Sequence, residues 1–114
     1  MDKYSILIAE DDKEIARSIG IYLKNENFDI FYAEDGLEAL EIFKNEKIDL
    51  IIMDLMMPKL SGEEAIIKLR EISFVPIIIL SAKSEDTDKI FGLNIGADDY
   101  VQKPFNPMEL IARV

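Results

Sequence analysis

Cysteine and histidine are both absent from the 114 residues. Their absence removes disulfides, thiolate nucleophiles, Cys/His zinc sites, histidine general bases and any phosphohistidine on this chain. Whatever chemistry the chain performs must use carboxylates, hydroxyls and amines. Positive charge is also scarce: 13 Lys plus Arg face 23 Asp plus Glu, a formal charge of −10, with a pI near 4.4. Such a surface repels phosphate backbones and anionic lipid, which argues against direct nucleic-acid binding. No apolar run approaches membrane-spanning length, and no apolar segment of signal-peptide length follows Met1-Asp2-Lys3. Neither a transmembrane helix nor a signal peptide is expected, and the expected location is cytoplasmic.

What is present is an ordinary globular balance, 49% hydrophobic and 32% charged residues. A chain of this length has room for one domain, and it buries about two thirds of its unfolded surface in one core. A second folded unit and a disordered chain are both excluded.

Four short apolar runs stand out: Ile6-Leu7-Ile8-Ala9, Leu50-Ile51-Ile52-Met53, Ile77-Ile78-Ile79-Leu80 and, weaker, Tyr100-Val101. Continuous apolarity predicts strands covered on both faces, as in parallel sheets. Phe28-Asp29-Ile30-Phe31-Tyr32 alternates instead, which predicts a half-covered edge strand. Helical spacing fills the gaps. Ile15, Ile19, Tyr22 and Leu23 follow Asp11 and Asp12, while Asp35 with Glu38 reads as a capping box before Leu37, Leu40 and Phe43. Ser61 with Glu64 does the same before Ala65, Ile66, Leu69 and Ile72. Ser84 opens a segment with Ile90, Phe91 and Leu93 that stops at Gly96, and Asn106 with Pro107 opens a last helix. Strand and helix alternate five times. This predicts an α/β fold: an open five-stranded parallel sheet in the order 2-1-3-4-5, with helices on both faces. The chain ends at Val114 about two turns into the last helix, with no terminating signal, as a piece of a longer protein would.

Open α/β sheets bind ligands outside the carboxyl ends of their strands, where the strand order reverses. The first polar residues beyond each run are Glu10, Asp11 and Asp12, then Asp54, Ser81 and Lys103, all expected at one rim. Clustered carboxylates repel one another unless a cation lies among them, and Mg²⁺ suits a few carboxylates, a carbonyl and retained waters. Glu10, Asp11 and Asp54 are the side-chain candidates, against the alternative that Asp11 and Asp12 merely cap the first helix. Asp54 ends the most apolar strand. A carboxylate there beside Mg²⁺ can attack phosphorus and form an aspartyl phosphate, or else it turns the chain before Pro58. Ser81 either caps the next helix or donates to a phosphoryl oxygen, and Lys103 is either a solvated loop lysine or the point charge that holds phosphate oxygens. Tyr100 reads as half-buried sheet packing.

In order and spacing, Ile8-Ala9-Glu10-Asp11-Asp12, Asp54-Leu55-Met56-Met57-Pro58, Gly62, Ser81-Ala82, Gly96-Ala97-Asp98-Asp99-Tyr100 and Lys103-Pro104-Phe105 together resemble a response-regulator receiver domain over the whole chain. The resemblance implies a flavodoxin-like receiver fold spanning residues 1–114. It implies that Asp54 is the phosphoacceptor and that Glu10, Asp11, Asp54 and the Met56 carbonyl hold Mg²⁺, for which Mn²⁺ substitutes. Ser81 and Lys103 would contact the phosphoryl group, and Tyr100 would be the aromatic switch residue. The implied partner is a sensor histidine kinase. Such a protein is not a conventional turnover enzyme, but promotes its own aspartyl phosphorylation and dephosphorylation.

The ending from Lys103 to Val114 further resembles the winged-helix OmpR/PhoB-type branch of transcription regulators. That implies a DNA-binding domain beyond residue 114 and phosphorylation-dependent homodimerisation through the fourth helix, fifth strand and fifth helix. Lys89, Asp98, Asp99, Glu109 and Arg113 are the charges expected on that face. Ser81 stands where the family more often has Thr, and Ser61 where Asp usually precedes Gly62. Three rivals are weighed. A dehalogenase-type phosphohydrolase would need a second Asp where Met56 stands. A nucleotide-binding module would need a glycine-rich turn or a Walker lysine, and neither is present. A receiver-like module that is never phosphorylated would have no use for the full set of acids, hydroxyl and lysine.

Overall fold

Three of the apolar runs predicted to be covered on both faces, those at Ile6, Leu50 and Ile77, form adjacent strands at the centre of one sheet, while the weaker run Tyr100-Val101 lies in an edge strand. The computed structural model describes residues 4–54, 60, 62–81 and 99–102, with the backbone alone at 63, 81 and 99–102. Its elements are β1 (Ser5–Ala9), α1 (Lys13–Asn25), β2 (Asp29–Ala33), α2 (Gly36–Asn45), β3 (Leu50–Asp54), α3 (Gly62–Arg70), β4 (Ile77–Ser81) and β5 (Asp99–Gln102). The strand order is β2-β1-β3-β4-β5 and every neighbouring pair is parallel, as predicted. The helices expected from Ser84 to Gly96 and from Asn106 onward lie outside the described residues.

Successive strand residues face opposite sides of a sheet, and here both sides are covered. Leu7, Ile51, Met53, Ile77 and Ile79 join a core with Ala39, Leu40, Ala65, Ile66 and Leu69 from α2 and α3. Their alternates Ile6, Ile8, Ile52, Ile78 and Leu80 pack with Ala16, Ile19 and Leu23 of α1. Burying each such side chain contributes about 1.5–3 kcal/mol, so this double-sided burial dominates the stability of the sheet. At the edge, β2 is only partly covered, with Phe31 against one core and Ile30 against the other.

The helix starts follow local chemistry. Asp12 caps α1 by accepting the N–H groups of Glu14 (3.0 Å) and Ile15 (3.3 Å), and Asp35 caps α2 by accepting that of Glu38 (2.8 Å). Asn27 takes φ 71° just beyond α1, where its N–H reaches the carbonyl of Lys24 and the helix ends. Ser61, expected to cap α3, lies outside the described residues.

Three residues expected on inward faces are exposed instead: Tyr22, Leu37 and Ile72. In α2 the inward stripe runs through Gly36, Ala39, Leu40 and Phe43, and Leu37, one position on from Gly36, is rotated about 100° from it. Tyr22 falls at the margin of the Ala16, Ile19, Leu23 stripe of α1. Ile72 lies past the end of α3, in a turn closed by bonds from Ile72 and Ser73 N–H to the Leu69 carbonyl. Arg70 supports that turn by donating to the carbonyls of Val75 (2.7 Å) and Ser73 (3.4 Å).

Candidate functional site

Order reversal between β1 and β3 brings two acids side by side at the carboxyl rim, one directly after β1 and one at the end of β3. Glu10 follows β1 directly, and its N–H donates to the Ala33 carbonyl of β2 at 3.0 Å, which extends the strand pairing by one step. Asp54 is the last residue of β3 and is paired in register with Leu80. Because Ala9 pairs with Met53, Glu10 and Asp54 stand level on neighbouring strands. Both are nearly sealed from solvent, at 2% and 3% exposure, whereas Asp11 is exposed.

One carboxylate oxygen from each of Glu10, Asp11 and Asp54 lies within 4.8 Å of the other two. An octahedral Mg²⁺ with oxygens at about 2.1 Å holds opposite ligands about 4.2 Å apart. The three oxygens are therefore near the span that one such ion would enforce, and an all-oxygen donor set suits a hard cation. If ionised together without a cation, Glu10 and Asp54 repel by about 3 kcal/mol at an effective dielectric of about 20. The cluster could hold a metal ion. Asp12 does not join this group, since its carboxylate is engaged in capping α1.

The remaining expected site residues divide between backbone positions and undescribed ones. Ser81 ends β4, one residue beyond Leu80, so its backbone lies at the same rim as Asp54. Tyr100 sits within β5 opposite Ile79, and Asp99 opposite Ile78. Met56, Lys89, Asp98, Lys103, Glu109 and Arg113 lie outside the described residues.

Sequence reading missed what lies beside the acids. Lys13 pairs with Glu34 at 3.3 Å, and a cleft of about 390 Å³ opens beside Glu10 between α1 and β2, lined also by Arg17 and Tyr32. Ala33 contributes a backbone carbonyl, which no residue type announces. Gly36 donates its N–H to the Leu60 carbonyl at 3.0 Å. Its one sequence signal is the glycine directly after the capping Asp35.

Residues 6–114 match the family model described as response regulator receiver domain. The regulatory protein VanR of Enterococcus faecium is 50% identical over 109 residues, covering 96% of this chain and 47% of that protein. The transcriptional regulatory protein CpxR homolog of Haemophilus influenzae is 45% identical over 109 residues, covering 96% and 48%. The chain therefore spans about half the length of the curated relatives it matches. The structure of the Francisella response regulator 1452 receiver domain superposes with a TM-score of 0.93 at 41% identity, covering 97% of this chain and 93% of that one.

Proposed function

The chain belongs to the response-regulator receiver domain family, and from that premise we propose that it is a phosphorylation-controlled switch with Asp54 as its phosphoacceptor. The observation that carries this reading is the meeting of Glu10, Asp11 and Asp54 within 4.8 Å at the carboxyl rim of a parallel sheet. The donor is the phosphohistidine of a sensor kinase. An Asp54 oxygen forms a bond to phosphorus while the bond from phosphorus to the imidazole nitrogen breaks, and the departing imidazole takes up a proton. Glu10, Asp11, Asp54 and the Met56 carbonyl would hold Mg²⁺, which would offset the charge of the clustered acids and of the phosphoryl oxygens. Burial of Asp54 leaves its carboxylate little hydrated, and the Glu10 backbone, held by Ala33, keeps a second acid beside it. Lys103 and Ser81 are assigned to the phosphoryl oxygens. The same site promotes the later hydrolysis of the aspartyl phosphate, so the chain acts as a timed switch and not as a conventional turnover enzyme.

Phosphorylation adds roughly 1.5 to 2 negative charges at the rim, by analogy with other phosphorylated side chains. Ser81 and Lys103 are drawn towards Asp54, and Tyr100 turns into the vacated space. The output is a homodimer through the face carrying Lys89, Asp98, Asp99, Glu109 and Arg113, with Lys89 to Glu109 and Asp99 to Arg113 paired twice about a two-fold axis. A DNA-binding domain elsewhere in the full-length protein then acts on transcription in the cytoplasm. The similarity to VanR, a regulatory protein, and to the CpxR homolog, a transcriptional regulatory protein, supports this last step.

The deciding experiment is treatment with acetyl phosphate followed by intact mass measurement. One phosphoryl group should be gained with Mg²⁺ and none with chelator, and Asp54→Ala should gain none. Equal gain by Asp54→Ala removes Asp54 as the acceptor. Sedimentation of the phosphorylated forms tests the face: Arg113→Glu should weaken the dimer and added Asp99→Arg should partly restore it.

A further inference from the structure

Four consecutive residues outside the acidic cluster reach both Glu10, which belongs to it, and Leu60, which follows Asp54 in the chain. Ala33 accepts the N–H of Glu10 at 3.0 Å, and Gly36 donates its own N–H to the carbonyl of Leu60 at 3.0 Å. Between them, Glu34 pairs with Lys13 at the start of α1, and Asp35 caps α2. Leu60 is buried among the α2 and α3 side chains and lies six positions beyond Asp54 in sequence. One arm of this short segment thus grips the residue after β1, and the other grips the chain that returns from β3.

The grip on Leu60 requires glycine. A Cβ placed on Gly36 would run into the Leu60 carbonyl oxygen, and would lie 2.9 Å from both the Leu60 carbonyl carbon and its Cβ. These are mainly backbone atoms, so no side-chain rotation relieves the collision, and α2 and Leu60 would have to separate. Gly36 needs no unusual backbone angle here. It is a position where two backbones touch.

We propose that the segment from Ala33 to Gly36 is a brace that fixes the separation of the two acidic connections, with Gly36 as a positioning residue for the metal-binding set. The proposal rests on the metal reading given above and extends it to residues that contact neither the ion nor the phosphoryl group. Three carboxylate oxygens bind one ion well only while their separations are held. A brace of backbone bonds holds them without adding charge. Residues that orient metal ligands from outside commonly change affinity by about 10-fold or more when lost.

The test compares Gly36→Ala with Gly20→Ala, a second glycine in a helix, where the obstructing atoms belong to the Tyr32 ring and not to backbone. Two quantities are measured on each folded protein well below its melting temperature. One is Mn²⁺ affinity, from the paramagnetic signal of free Mn²⁺, and the other is hydrogen exchange of the Glu10 amide, the donor to Ala33. Gly36→Ala should weaken Mn²⁺ binding by about 10-fold and speed Glu10 exchange, while Gly20→Ala changes affinity less than about twofold. Unchanged Glu10 exchange and unchanged affinity in Gly36→Ala would overturn the brace. If the wild type binds no Mn²⁺ while Gly36→Ala still speeds Glu10 exchange, the metal reading fails and the brace stands as a mechanical link. Should Gly36→Ala fail to fold, the wild type decides instead: saturating Mn²⁺ should slow exchange of the Gly36 amide, the donor to Leu60, and unchanged exchange there would overturn the brace.

Discussion

Glu10 and Asp54 stand level on adjacent parallel strands, both buried, with carboxylate oxygens within 4.8 Å of one another and of Asp11. A cation that joins these acids would stabilise the native state alone, so the native state should bind one that the unfolded chain does not.

Mg²⁺ should therefore raise the melting temperature. At tenfold excess over its dissociation constant the gain is about 1.4 kcal/mol, which in a domain of this size corresponds to a shift on the order of 5–10 °C. Glu10→Gln keeps the shape of the side chain and removes one anionic ligand, so its shift should fall to less than half. Thermal melts of both proteins in Mg²⁺ and in chelator check this. Identical wild-type melts in the two conditions would refute the metal site.

Much of this site is legible in the sequence because acids at the ends of apolar runs are unusual and costly. The runs at Ile6, Leu50 and Ile77 carry their own topology, since continuous apolarity means two covered faces. Parallel strands in register then bring their ends to one rim. Less legible were Tyr22, Leu37 and Ile72, whose apolar character suggested burial that helix phase or helix length denies them. The brace was illegible for a different reason. Ala33 and Leu60 act through backbone carbonyls, and hydrogen bonding by the main chain leaves no trace in residue type.

Arg70 predicts a local stability effect that leaves the rim untouched. Its guanidinium bonds the Val75 carbonyl at 2.7 Å and closes the connection from α3 to β4, at the opposite end of β4 from Ser81. Arg70→Ala should cost about 1–3 kcal/mol, since it removes a charge-assisted bond from a partly buried carbonyl. Urea denaturation measures the loss. Mg²⁺ affinity should stay within about twofold, because the change lies far from the acids.

Gly20 and Tyr32 predict a change of sign. Alanine is favoured over glycine in a helix interior by about 1 kcal/mol, yet a Cβ on Gly20 of α1 would collide with the Tyr32 hydroxyl. Gly20→Ala alone should be neutral or destabilising. In a Tyr32→Ala background the obstruction is gone, and the same Gly20→Ala change should stabilise by about 1 kcal/mol. A double-mutant cycle by urea denaturation reads the difference, and equal effects in both backgrounds would show that the ring already moves aside freely.

Asp11 and Asp12 are neighbours with the same side chain, and the structure gives them separate tasks. Asp12 accepts the N–H groups of Glu14 and Ile15 and holds the first turn of α1, whereas Asp11 offers an oxygen to the set completed by Glu10 and Asp54. Loss of a capping acid costs about 1 kcal/mol and should not depend on metal. Asp12→Ala should therefore lower stability by that amount equally in Mg²⁺ and in chelator. Asp11→Ala should instead leave the metal-free protein as stable as wild type or slightly more so, because it removes one of three crowded anions, and should lose most of the Mg²⁺-dependent gain. Asp12→Asn provides the internal control, since asparagine caps about as well as aspartate and should restore stability without altering the metal response. Chemical denaturation of the three variants with and without Mg²⁺ separates the tasks. If Asp12→Ala abolishes the Mg²⁺ response while Asp11→Ala preserves it, the two roles are exchanged and the ligand set must be redrawn around Asp12.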